Sequence, residues 1–229
     1  MSTTERDRLL AAIERVTLQA RAVGVELDEP QVRKLLTHVE LLQRWNKTYN
    51  LTAIRDPDAM WSQHILDCLA AVPSVRRELA ARQAARARVL DVGSGGALPG
   101  AVWAVAMPEV DITCLDTVGK KVAFIRQVAG QLQLPNLKAE QARVESCRAP
   151  PFDLIACRAF ASLQDFTHWT AHLLAPDGCW VAMKGRHPQD ELTGFESAGI
   201  RVFHVEHLTV PGLGAARCLV WMRPALAPT

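Results

Sequence analysis

One stretch, "VLDVGSGGALPG" (89–100), runs from a short apolar segment holding a single acid into a glycine-dense turn. Glycines at 93, 95, 96 and 100 let bare backbone approach a ligand, as happens where a buried strand leads into a helix. The spacing departs from the common phosphate cradles. A dinucleotide fingerprint G-x-G-x-x-G counted from Gly93 needs glycine where Leu98 stands, and no Gly-Lys-Ser/Thr follows to make a Walker loop. Asp116 ends the next apolar run roughly 20 residues beyond the turn, the separation expected of a carboxylate that binds ribose hydroxyls. Its structural alternative is to cap the helix that starts near Val118. Asp91, just before the turn, would repel a pyrophosphate and favour a ligand carrying an ammonium or a sulfonium. Gly93, Gly95, Asp91 and Asp116 therefore favour S-adenosylmethionine over a nicotinamide cofactor.

Further polar groups fall at the ends of later apolar runs: Arg143 and Glu145 in "QARVES", Arg158 in "CRAFASL" and Lys184 in "VAMKGR". A permanent guanidinium at the carboxyl end of an internal strand needs an anionic or carbonyl partner, and ligands bind at that end. The four groups are expected to converge on one cleft. No nucleophile stands out. "APPF" (149–152) precedes the strand-like "FDLIAC" and opens on Ala149, so it reads as a loop rather than an amino-methylation motif. Cys157 follows Ala156, not proline, and reads as a core thiol. His64 reads as a structural link between the N-terminal helices and the cleft.

The elements that hold these groups differ between the two halves of the chain. Up to about residue 85 the apolar spacing is helical (Leu9, Leu10, Ile13, Val16; Val32, Leu35, Leu36, Val39; Met60, Trp61, Ile65, Leu69). Start signals sit at Asp28 with Gln31 and at Asp56-Pro57. From Arg88 onward strand-like runs are predicted at 88–92, 111–116, 136–140, 153–157, 179–183, 200–207 and 217–222. The first five alternate with helices; the last two form an antiparallel hairpin around "TVPGLGAA". The chain is expected to divide into residues 1–85, a helical extension, and 86–229, the catalytic domain. Its length and 49% hydrophobic content suffice for a full core, and no apolar run is long enough for a membrane span or signal core, which makes the cytoplasm the expected location. Six dispersed cysteines read as reduced core thiols. A net charge of +2 does not announce nucleic-acid binding, but "SVRRELAARQAARAR" (74–88) carries Arg76, Arg77, Arg82, Arg86 and Arg88, readable as a solvated face or as a phosphate-contacting patch. The terminal "PALAPT" reads as disordered.

The motifs "WNKTYNLTAIRDP", "HILDCLA", "DVGSGGALPG", "LDTVGKK", "ARVES", "CRAFASL" and "MKGRHPQDEL", in this order between residues 45 and 192, resemble those of the bacterial 16S rRNA guanine-N7 methyltransferases, historically called glucose-inhibited division protein B. Departures are Cys68, where the family usually has serine, and "GSGGALPG" for "GSGAGLPG". The resemblance implies an α/β fold: a Rossmann-like seven-stranded class I methyltransferase sheet with helices on both faces and an N-terminal helical extension. It implies S-adenosyl-L-methionine as donor and, as acceptor, N7 of one guanosine in the 16S rRNA loop near the decoding site, on naked RNA or the small ribosomal subunit, with no membrane partner and the enzyme a monomer. Carried over by position, Gly93, Leu98, Val144, Glu145 and Arg158 line the cofactor. Asn50, Lys120, Arg143 and Lys184 surround the reaction site, and Arg143, Lys184 and Asn50 are expected to hold the guanine and its phosphates. A nicotinamide-dependent oxidoreductase and a nonenzymatic ribosome-assembly factor are the alternatives.

Overall fold

The computed structural model describes residues 3–82, 86–158, 160, 162–186, 189–192, 195 and 199–225. Two long helices open the chain, α1 (Thr3–Ala22) and α2 (Glu29–Tyr49). The start of α2 is set by reciprocal capping: Asp28 accepts from the Gln31 amide at 2.7 Å, and the Gln31 side chain accepts from the Asp28 amide at 2.9 Å. Such a cap contributes about 1 kcal/mol by satisfying donors the helix cannot. Asp56 caps α3 (Pro57–Met60), which continues through a π-helical turn (Trp61–Leu66) into α4 (Asp67–Ala70) and α5 (Val72–Ala80). Plain helical spacing did not predict the π turn, which carries His64.

The strands are β1 (Arg88–Val92), β2 (Asp111–Asp116), β3 (Leu137–Gln141), β4 (Phe152–Arg158), β5 (Leu174–Lys184), β6 (Ile200–Leu208) and β7 (Arg217–Pro224), in the order β3-β2-β1-β4-β5-β7-β6. β1 to β5 pair in parallel, and β7 is antiparallel to both β5 and β6, as the hairpin reading expects. β5 starts earlier than residue 179 because Leu174 already pairs with Phe152, ahead of a register shift. Crossovers carry α6 (Gly100–Ala106), α7 (Gly119–Gln131), α8 (Leu163–Thr170) and α9 (Gln189–Leu192). Strand order reverses between β1 and β4, and such a reversal opens a crevice at the carboxyl ends of the strands.

Side chains alternate across the sheet. Val89, Ile112, Cys114, Leu154, Val181 and Leu219 join one core, under α6, α7 and the N-terminal helices. Leu90, Val92, Leu115, Ile155, Trp180 and Val220 join a second core, under α8. The first core runs without a break from Val16, Leu35, Leu42 and Ile65 into the sheet, so the N-terminal helices supply one wall of the molecule's interior. Trp103 Nε1 on α6 donates to the Cys68 carbonyl at 2.9 Å across that wall. All six cysteines are free thiols and five are buried, as the reduced reading expects.

The arginines of the 74–88 segment are engaged with the protein, and Arg77 and Arg86 remain exposed as a solvated face would have them. Arg77 pairs with Glu206 (3.1 Å), Arg86 with Asp111 (2.7 Å) and Arg82 with Glu78 (3.0 Å). Arg76 donates to the Ala106 carbonyl (2.5 Å), and Arg88 donates to the Pro151 carbonyl (2.6 Å) while covering the Phe152 ring. These arginines cap carbonyls and carboxylates of the protein, several of them at the amino ends of the strands, away from the glycine turn. Residues 83–85 of the segment and 226–229 of the terminal "PALAPT" lie outside the described residues.

Candidate active site

The glycine turn is anchored to the neighbouring strand through its own amides. Gly93 N donates to the Leu115 carbonyl at 2.8 Å, and Gly95 N donates to Asp116 Oδ2 at 3.1 Å. Gly93 (φ 73) and Gly95 (φ 52) occupy the left-handed region, which is where glycine costs least. Asp116 spends its other oxygen on Val118 N at 2.9 Å, and Lys121 Nζ stands 3.7 Å from Oδ2. The bond to Val118 turns the chain ahead of α7 without capping the helix, whose N-cap is Val118, and the carboxylate keeps spare lone pairs at the end of β2 beside the turn. A Cβ built at Gly93 would meet nothing nearer than Phe160, at 4.0 Å, so the turn is open on that side.

Asp91 sits beneath the turn, not on it. It is fully buried, and its Oδ2 accepts from Gly100 N at 2.9 Å and from the Cys114 thiol at 3.6 Å, while Oδ1 has no partner. Burial raises its pKa to about 6, against the lowering effect of the Gly100 amide. Asp91 thus tethers the start of α6 and shapes the turn from below. Leu98 is likewise buried in the core, with its amide committed to the Ser94 carbonyl at 2.9 Å. His38 on α2 holds the turn from a third side. Its Nε2 lies 2.9 Å from the Gly96 carbonyl, so the Nε2–H tautomer donates there and Nδ1 is left buried without a partner. Burial holds its pKa down at about 4. Sequence reasoning missed His38; an isolated histidine on an apolar helix face gave no signal.

Across the switch point the strand ends carry cations. A cavity of about 360 Å³ is lined by Ile54, His64, Asp67, Arg158, Lys184 and Arg217, among others. Arg158, at the end of β4, donates to His64 Nδ1 (3.2 and 3.3 Å) and approaches Asp67 Oδ2 at 3.7 Å. Because a guanidinium can only donate, Nδ1 must accept and Nε2–H must donate to Thr52 Oγ1, at 2.8 Å. His64 is held neutral, its pKa lowered to about 4 by burial and by Arg158. Arg217 Nε closes the cluster on Asp67 Oδ1 at 2.9 Å; burial nonetheless shifts the Asp67 carboxyl upward, against the pull of Arg217 and Arg158. Lys184 is engaged with Glu191, at 2.9 and 3.0 Å.

The structure brings some of the expected residues together and sets others apart. Arg158 and Lys184 share a cavity, but Arg143 and Glu145 do not line it. They follow β3, four strands from β5 in the sheet, or roughly 19 Å at the usual strand spacing of about 4.8 Å. Arg143 and Glu145 are exposed, Val144 is buried between them, and the three sit on the Asp116 side of the turn. Lys120 is exposed on α7, and it is Lys121 that meets Asp116. Asn50 is the left-handed C-cap of α2 (φ 48), exposed, while the buried Asn46 organises the following loop through Thr52 N (2.9 Å) and the Ile54 carbonyl (3.2 Å). Asp67 and Arg217 were missed as site residues. Arg217 was findable: in an antiparallel β7 the first residue lies on the same edge as the last residues of β4 and β5. Ala159, Ala161, His187 and Pro188 of the quoted motifs lie outside the described residues.

The family described as rRNA small subunit methyltransferase G matches residues 31–220. The chain belongs to this family. Relatives that carry the name "Ribosomal RNA small subunit methyltransferase G" include those of Acidovorax sp. (strain JS42), 58% identical with 90% of this chain and 92% of that protein covered, and of Leptothrix cholodnii, 54% identical with 96% of each covered. Among solved structures, a SAM dependent methyltransferase from Aquifex aeolicus superposes with a TM-score of 0.52 at 15% identity, covering 73% of this chain and 93% of that one. The glycopeptide N-methyltransferase MtfA gives 0.51 at 14% identity, covering 66% and 89%. These neighbours fix the fold as the Rossmann-like α/β methyltransferase sheet. Membership of the family decides against the nicotinamide-dependent oxidoreductase reading. Among the described residues no helix is long and apolar enough to cross a membrane, and no cluster of potential metal ligands occurs.

Proposed function

We propose that the family member described here transfers a methyl group from S-adenosyl-L-methionine to N7 of one guanosine of 16S rRNA, acting in the cytoplasm as a monomer on naked rRNA or the small ribosomal subunit. The observation that carries this reading is the division of one sheet edge. An acidic, glycine-lined seat at β1 and β2 lies beside a cavity at β4, β5 and β7 lined by Arg158, Lys184 and Arg217. The residues fit the donor: the buried Asp116 keeps acceptor capacity beside a turn with room above Gly93, and Glu145 adds a second carboxylate, an exposed one, on that side. When bound, S-adenosylmethionine supplies an electrophilic sulfonium methyl.

Guanine N7 carries a lone pair and no proton, so no general base is required. His64 agrees with this, since Arg158 and Thr52 occupy its two nitrogens and it is neutral well below pH 7. What the chain must do is position the base, and alignment of this kind can contribute on the order of 7 kcal/mol. Lys184 and Arg217 offer donors to guanine O6 or to phosphate, and Glu191 holds Lys184 in place until RNA arrives. Asp116 and Glu145 face the donor side.

The test is methylation of naked rRNA, 30S particles and 70S ribosomes from cells lacking the protein, with nucleoside mass spectrometry for N7-methylguanosine. Donor binding without any RNA product would leave a nonenzymatic assembly role. Lys184→Ala should lower methylation at least tenfold with calorimetric affinity for S-adenosylmethionine unchanged, and Asp116→Ala should weaken that affinity by a similar factor. Loss of donor binding in the lysine variant would move Lys184 to the cofactor side.

A further inference from the structure

A second cavity, of about 440 Å³, lies on the N-terminal helices and is lined by Glu40, Gln43, Arg44, Asn46, Lys47, Arg55 and Met60. Three of the side chains lining it are cations. The arginines of 74–88 are spent on internal carbonyls and carboxylates, whereas among the described residues the side chains of Arg44, Lys47 and Arg55 make no hydrogen bond or ion pair, and all three are exposed. Unpaired cations around a concavity raise the local potential and attract a polyanion, and Glu40 is the one carboxylate lining it. The cavity is also joined to the active site. Ile54 lines the cavity of Arg158 and Lys184, the adjacent Arg55 lines this one, and Asn46 holds the loop between them by its two hydrogen bonds.

Resting on the rRNA reading above, we propose that the concavity of Arg44, Lys47 and Arg55 docks the sugar-phosphate backbone of the substrate rRNA flanking the target nucleotide, across the 50–55 loop from the base. An isolated nucleotide would not span both cavities, so the surface selects for a polynucleotide. Its contacts are to phosphate and are blind to sequence; they contribute affinity and register.

The experiment uses the full chain with 30S subunits or 16S rRNA, in whichever form the wild type methylates. The triple variant Arg44→Ala, Lys47→Ala, Arg55→Ala should lose at least tenfold in kcat/KM for RNA, with the S-adenosylmethionine affinity and melting temperature of the wild type. The slope of log Kobs against log salt should shrink by about 2 units, at about 0.7 to 0.9 per phosphate contact. A control of equal charge change, Arg6→Ala, Arg8→Ala, Lys138→Ala, should leave the slope unaltered, and Arg44→Lys with Arg55→Lys should retain binding because phosphate requires only charge. A triple variant with the wild-type slope and kcat/KM overturns the docking surface while leaving the rRNA reading intact. Absence of RNA binding by the wild type overturns both.

Discussion

His38 and His64 are neutral because they are buried, and each uses its one N–H inside the protein, His38 on the Gly96 carbonyl and His64 on Thr52 Oγ1. Both have folded-state pKa values of about 4 against 6.5 unfolded. Between those values the unfolded chain binds protons that the native chain refuses, so acidification through this window removes stability. Asp91 works in the opposite sense: with a folded value of about 6 against 3.8, the native state holds a proton the unfolded chain releases, and acidification adds stability. A single-site comparison separates the two effects. His38→Gln retains an amide donor for Gly96 but no proton-binding site, and its stability deficit relative to wild type, measured by urea unfolding, should shrink by on the order of 3 kcal/mol between pH 7 and pH 4. A deficit that stays constant with pH would mean His38 titrates normally. The glycine turn is also closely packed from the side of α2, where Leu42 Cδ1 would stand only 3.1 Å from any Cβ at Gly96.

Among the elements, the junction of β1 with α6 tolerates least. A Cβ on Gly100 would collide with Cys114 Sγ and approach Asp91 Oδ2 at 2.9 Å, because α6 begins directly against β1 and β2. Gly100→Ala should therefore cost about 1 to 3 kcal/mol, read as a lowered urea midpoint with unchanged slope, and Cys114→Ala in the same chain should recover part of it. No recovery would place the strain elsewhere. Most elements were legible from the sequence: β1, β2 and the caps at Asp28 and Asp56 stand where pattern and capping chemistry put them. The π turn was not, since a single inserted residue leaves the apolar spacing almost intact, yet it sets the position from which His64 meets Arg158.

For the molecule as a whole, the N-terminal helices and the sheet share one core, with Val16, Leu35, Leu42, Ile65 and Leu69 packed in the cluster that holds Val89, Ile112 and Leu154. A chain cut to residues 86–229 would expose that face, and we expect it to be aggregated or to bind a hydrophobic dye without a cooperative melt; a sharp melt near that of the full chain would show the division at residue 85 to be a domain boundary. The glycine turn, the carboxylate at 116, the alternation of strands and helices and the charges at 158 and 184 were all decided by local order in the chain, because periodicity, glycine spacing and strand ends are properties of neighbouring residues. Tertiary structure alone decided which of those groups meet. It set Arg143 on the far side of the turn from Lys184, turned Asp91 under the loop, paired Arg158 and Arg217 on Asp67, and spent the arginines of 74–88 on the protein while leaving Arg44, Lys47 and Arg55 without a partner among the described residues. The physical reason is that strand order and helix placement bring together residues up to 150 positions apart, as for Arg217 and Asp67, and burial then fixes the charge each can carry.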